Sequence, residues 1–196
     1  MKSAYKSMLL AVAAGLFCAG SVQCADKYMI DADHSSVGFS IKHLGISKVN
    51  GKFKEFSGTI MVDEKNLAAC SVEVEIKTAS VDTANEKRDT HLKAADFFDA
   101  EKNPLITFKG TKVKKTKSGY TVSGAFSLHG VTKEINIPFT IVKGSDPWGK
   151  TRVGIEGALT INRQDYGIKW NKVMDNGGVL ISNDVKIELA VEAVKE

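Results

Sequence analysis

YTVSGAFSLHGVTKEINIPFTI, residues 120–141, alternates on both sides of a turn. Tyr120, Val122, Gly124, Phe126 and Leu128 share one face at the two-residue period of a half-buried strand. His129-Gly130 turns the chain, and Ile135, Ile137, Phe139 and Ile141 answer on the return. Two alternating runs about a short turn predict an antiparallel pair. Pro138 stands on the polar face of the return run. Lacking an N–H, it predicts a sheet edge or a bulge there.

The same period extends in both directions. Upstream, Tyr28 to Asp31 is a short strand, and Val37, Phe39, Ile41 and His43 alternate with polar or small residues. Leu44 to Gly51 reads as a turn region, because Asn50-Gly51 is a strong hairpin signal. Phe53, Phe56, Ile60 and Val62 lead through a polar turn to Val72, Val74 and Ile76, the cleanest alternation in the chain. Ile106 and Phe108 open a strand that runs to a lysine-rich turn, 112–119. Downstream come the Lys143–Lys150 loop, then Val153, Ile155, Gly157, Leu159 and Ile161. A loop over Asn171–Gly178 precedes Val185, Ile187, Leu189 and Val191. Eight or nine strands of similar spacing make an antiparallel meander, and closure into a barrel removes its exposed edges.

One segment breaks the period: TANEKRDTHLKAADFFDAEKNP, residues 83–104. Thr83 with Glu86 has the form of a capping box. Ala84, Arg88, His91, Leu92 and Ala95 then share one side at helical spacing. Asp96 is placed as the cap of a second short turn ahead of Phe97 and Phe98, and Pro104 ends the insert. A short helical insert over about 84–99 is expected to cover a mouth or a side of the barrel. Arg88 and His91 lie on its apolar side, where a cation needs a carboxylate, carbonyls or an anionic ligand. The bland reading is an Arg88 stem covering apolar surface with its head in water.

Lys2 and Lys6 precede an apolar run, Met8 to Phe17, too short to span a bilayer and followed by small residues. This is the form of a secretory signal peptide over residues 1–25, ahead of a single domain over 26–196. A lipoprotein is the rival reading, but Phe17 before Cys18 and Gln23 before Cys24 are bulky where a small residue is usual. Removing Lys2 and Lys6 lowers the net charge from +4 to +2, which withdraws electrostatic support for a nucleic-acid role. Cys70 is then the one secure thiol, read as a small apolar residue at the head of a strand.

No HExxH, GxSxG, Gly-rich phosphate loop or CxxC occurs. The four histidines, His34, His43, His91 and His129, fall on different strands and turns, and their spacing matches no standard metal-ligand motif. Phenylalanines and glycines recur on the apolar faces. They would either leave a ligand cavity or fit the taper of a packed barrel.

Several of these residues together resemble the YceI-like proteins. They are Phe39-Ser40-Ile41-Lys42-His43-Leu44-Gly45, Ser80-Val81-Asp82-Thr83, Arg88-Asp89-Thr90-His91-Leu92, Asp96-Phe97-Phe98, and Pro104 with Phe108. Leu128-His129-Gly130-Val131-Thr132-Lys133 and Asp146-Pro147-Trp148-Gly149 follow in order. The resemblance implies an all-β, lipocalin-like antiparallel barrel of about eight strands in the bacterial periplasm. It implies a polyisoprenoid or similar long-chain lipid in the interior, with no cofactor, no metal, no catalytic residues and no stable membrane insertion; dimers are known in the family. On that implication the lipid chain would meet Phe39, Ile41, Phe53, Phe56, Ile76, Leu92, Phe97, Phe98, Phe108, Phe126, Leu128, Phe139 and Trp170. Arg88 and His91 would hold a polar head group or serve the structure. Trp170 to Gly178 matches no family motif. Two alternatives stay open: a lipid hydrolase or isomerase using His91 with Asp89 or Asp96, and a non-lipid stress or adhesion module with a filled barrel.

Overall fold

A computed structural model describes residues 25–174 and 178–196. The expected leader therefore lies outside the described residues, apart from Ala25, as does the tip of the 171–178 loop. The strands are β1 (Asp26–His43), β2 (Ser47–Phe53), β3 (Phe56–Val62), β4 (Ser71–Lys77) and β5 (Val81–Asp82). The helix α1 (Glu86–Lys93) precedes β6 (Leu105–Thr116), β7 (Gly119–Leu128), β8 (Val131–Ser145), β9 (Thr151–Asn162) and β10 (Ile181–Lys195). Neighbouring strands pair antiparallel, and β10 closes on β1, with Tyr28 opposite Lys195 and Ile41 opposite Val185. β2 and β3 follow one another along β1, and β5 extends β4 along β2, so ten strands form an eight-stave barrel. Closure leaves inward residues no face but the interior, which is why the apolar alternation persists on every stave.

Four expectations need correction. Tyr28–Asp31 and Val37–His43 are one strand, bent by a bulge between Asp31 and Ser36. Ser35 repairs the ladder there: its hydroxyl donates to Asp31 O (2.6 Å) and accepts from Glu192 N (2.9 Å). The hairpin turn after β1 is Leu44–Ile46, and Asn50-Gly51 lies inside β2. Gly51 is there because Phe39 lies directly across the ladder, and a Cβ would meet its ring and the Thr83 methyl. Tertiary contact outweighs the dipeptide's turn preference. The lysine-rich stretch is strand rather than turn, since β6 pairs with β7 as far as Thr116–Gly119. Finally, β8 is an interior strand, although its ladder to β9 begins only at Phe139. Pro138 sits where that ladder ends, so its missing N–H costs no bond.

The core divides along the barrel axis. A lower cluster of Tyr28, Ile60, Val153 and Ala193 is almost fully buried and packs the end holding the start of β1 and the end of β10. The larger upper cluster carries Phe53, Phe108, Phe126, Ile137 and Ile161. Over it lie the 83–104 insert and residues 163–174, both following strands that end at the upper end.

Candidate functional site

Inside the staves runs an apolar cavity of about 810 Å³. Every apolar position nominated from the sequence borders it, as do Arg88 and His91. Its walls are the inward residues of the alternating strands, Phe108, Val122, Phe126 and Ile137 among them. Its lower reach passes Ile60, Val62, Ile141, Ile155 and Val191 to Lys143 and Glu64, whose ion pair spans 3.0 Å. Cys70 borders the cavity near that end, its Sγ accepting from Asp63 N at 3.2 Å.

Aromatic rings build the upper rim. Phe53 touches Phe39 and Phe98, each at 5.8 Å between centroids. Phe97, Trp170 and His91 form a second group at 4.8–5.2 Å, the histidine ring standing edge-on to both neighbours. Such contacts hold rings in defined orientations beyond what area burial does. Phe97 and Phe98 lie in a short turn, as expected, but Asp96 does not cap it. Its carboxylate meets His91 Nε2 at 2.6 Å instead, both side chains being about two-fifths exposed. The His91 ring makes no further hydrogen bond among the described residues.

The insert is anchored differently from the expected capping box. Asn85 is the N-cap of α1, accepting from Arg88 N at 3.0 Å. Thr83, buried before the helix, donates its N–H and hydroxyl to Asp89 Oδ1 (2.9 and 2.5 Å). Arg88 in turn donates from Nε to the Thr83 hydroxyl (2.7 Å) and from Nη2 to the Thr83 carbonyl (2.8 Å). The partner of Arg88 is thus a threonine, and Asp89 reaches the guanidinium only through it. Half-buried on the cavity edge, the guanidinium has its Nε and one Nη2 contact committed to the fold.

Among the described residues the buried cation is Arg163, which was not nominated from the sequence. It sits in a short 3-10 turn after β9 and is 3% exposed. Nη1 donates to the carbonyls of Ile168 and Trp170 (2.8 Å each), Nε to Ser182 O (3.0 Å), and Nη2 to Asn183 Oδ1 (3.3 Å). Burial pushes its pKa down. No carboxylate pairs with it among the described residues, so carbonyl dipoles carry the compensation. This arginine staples Ile168 and Trp170, both cavity residues, to the start of β10. Nothing in a turn sequence such as Asn162–Gly167 distinguishes it from a surface residue.

At the opposite end, oxygen and nitrogen atoms of Asp31, His34 and Glu192 lie within 4.8 Å of one another. Arg152 occupies that cluster, donating to Asp31 (2.8 Å), Glu192 (2.6 Å) and Asp146 (3.1 Å). A cation already satisfies these carboxylates.

With the geometry established, likeness to known proteins can be placed on it. The YceI-like domain matches residues 28–193. A UPF0312 protein of Pseudomonas aeruginosa is 42% identical over 190 residues, 95% of this chain and 96% of that one. Protein YceI of Escherichia coli is 42% identical over 195 residues, 97% and 98% of the two chains. Among solved structures, a polyisoprenoid binding domain from Saccharophagus degradans, described as implicated in plant cell wall breakdown, superposes with a TM-score of 0.66. It is 18% identical and covers 86% of this chain and 98% of its own.

Proposed function

Because this chain belongs to the YceI-like family, we propose that it carries or sequesters a polyisoprenoid or similar long-chain lipid inside its barrel, in the periplasm. The observation that supports this is the cavity. About 810 Å³ of apolar interior lies within the size range of small-molecule sites and is larger than packing defects in a filled core. That favours a ligand-holding barrel over a filled one. Burying a methylene contributes roughly 0.8 kcal/mol, so each five-carbon isoprene unit adds about 4 kcal/mol before ordering costs. No covalent chemistry is needed to retain such a chain. The Saccharophagus domain, named for polyisoprenoid binding on the same fold, supports the ligand class. The charged start and short apolar run of residues 1–25 support the compartment.

On this reading the lipid tail lies against the phenylalanines, and the polar head sits at the aromatic rim. There His91 presents a half-exposed ring, and Arg88 stands at the edge. The test is mass spectrometry of an organic extract of the natively purified protein. A near-stoichiometric isoprenoid lipid is expected. Protein that yields none, and takes up none when offered a polyprenol or a prenylated quinone, would refute the proposal.

A further inference from the structure

The upper rim carries a feature that lipid retention alone does not require. Ile46 in the β1–β2 turn is 85% exposed, and Val173 and Val179 before β10 are 70% and 48% exposed. The two segments are joined: Leu44 N donates to Leu180 O at 2.8 Å, and Val173 bridges Val179. These apolar tips therefore stand on one braced rim, beside Val49, Leu180 and Ile181, which border the cavity. Exposed apolar residues gathered at one end of a soluble fold mark an interaction surface.

Lysines flank them. Lys42 lies directly opposite Lys48 in the β1–β2 ladder, and like charges so placed destabilise a sheet. Lys169 and Lys172 adjoin the second segment. All four are exposed and make no ion pair among the described residues. Several carboxylates of the upper end are engaged elsewhere, Asp82 with Lys54, Asp96 with His91 and Asp99 with Lys102, while Glu86, Glu101 and Asp184 are exposed with no ion pair among the described residues. At the lower end Lys27, Lys143 and Lys195 are each paired with an acid, whereas the exposed Lys114, Lys115, Lys117 and Lys150 have no ion pair among the described residues. It is therefore the braced apolar tips beside cavity residues that set the upper rim apart.

We propose that this rim docks on an anionic lipid bilayer, Ile46, Val173 and Val179 entering the headgroup–acyl boundary while Lys42, Lys48, Lys169 and Lys172 meet the phosphates. The chemistry is that of interfacial binding: apolar area plus attraction to acidic lipids. Seating the cavity mouth against the bilayer gives a long apolar chain a path that avoids water. This deepens the carrier reading and rests on it.

The experiment is co-sedimentation of the mature protein with vesicles of phosphatidylcholine, with and without phosphatidylglycerol, alongside extraction of cavity lipid from the same preparations. Wild-type protein should bind the anionic vesicles in a salt-sensitive manner. I46E/V173E should lose binding, and K42Q/K48Q should weaken it about 25-fold, at about 1 kcal/mol per lysine near an acidic surface. Cavity lipid should be unchanged in both. W148E, at an 83% exposed tryptophan of the opposite end, should bind like wild type. The proposal is overturned if lipid-loaded wild type ignores vesicles, if W148E rather than the rim variants loses binding, or if the rim variants change only the oligomeric mass. Vesicle binding by protein that yields no cavity lipid supports the rim and removes the carrier reading.

Discussion

Replacing Arg163 should cost far more stability than replacing Arg88, although the sequence draws attention to Arg88. In Arg163→Ala the carbonyls of Ile168, Trp170 and Ser182 and the Asn183 amide oxygen lose their donors. Each buried acceptor left unpaired costs about 1–3 kcal/mol, and some of these sites gain partial access to water, so the sum is about 3–5 kcal/mol. That is a large share of the roughly 5–15 kcal/mol by which such domains are stable. For a domain of this size it lowers the melting temperature by roughly 10–15 °C. Arg163→Met separates hydrogen bonding from packing, because it restores apolar volume and leaves the same acceptors orphaned. Thermal and urea unfolding by far-UV circular dichroism should place both variants well below wild type, Met slightly above Ala. Arg163→Met melting within a few degrees of wild type would show that the carbonyls do not depend on this donor, and the staple argument would fall.

Arg88→Ala should cost less, about 1–2 kcal/mol, since it removes one hydroxyl contact and one carbonyl contact on a half-buried edge and leaves Asp89 still bonded to Thr83. Equal or greater loss than Arg163→Ala in the same melts would reverse that ranking. Gly124→Ala should destabilise by about 3 kcal/mol, because its Cβ would strike the Lys109 carbonyl and Gly110 Cα of the neighbouring strand, backbone that cannot swing aside; a wild-type urea midpoint would count against it. The Arg152 guanidinium first, then His34, holds the Asp31 carboxyl down to about 2 from 3.8, so its stabilising contribution is complete above about pH 4 and is lost as pH falls towards 2. Arg152→Gln should flatten that limb of a melting-temperature profile; an unchanged acid limb would contradict the assignment. Phe126→Asp places a charge against the cavity wall and should abolish lipid retention or folding; a folded variant with its full lipid complement would show that this face does not contact the chain.

The period-two alternation settled the class of the fold, since Tyr120–Leu128 and Ile135–Ile141 can bury one face only as strands and a row of such strands is most stable closed. It also oriented the cavity residues: once the barrel closes, Phe39, Phe108, Phe126 and Phe139 have nowhere to point but inward. The 83–104 insert was visible because it broke the period. Its wiring was not, because Thr83, Asn85 and Asp89 are all competent caps. Only their three-dimensional positions decide that Asn85 takes the helix N–H while Asp89 takes Thr83. Asn50-Gly51 shows the converse failure. A local turn preference of a kilocalorie or so yields to the Phe39 ring lying across the strand, a contact that register alone creates. Arg163 was beyond reach for the same reason. Its partners are carbonyls at positions 168, 170 and 182, and main-chain carbonyls look alike in every sequence until the chain folds them towards one guanidinium.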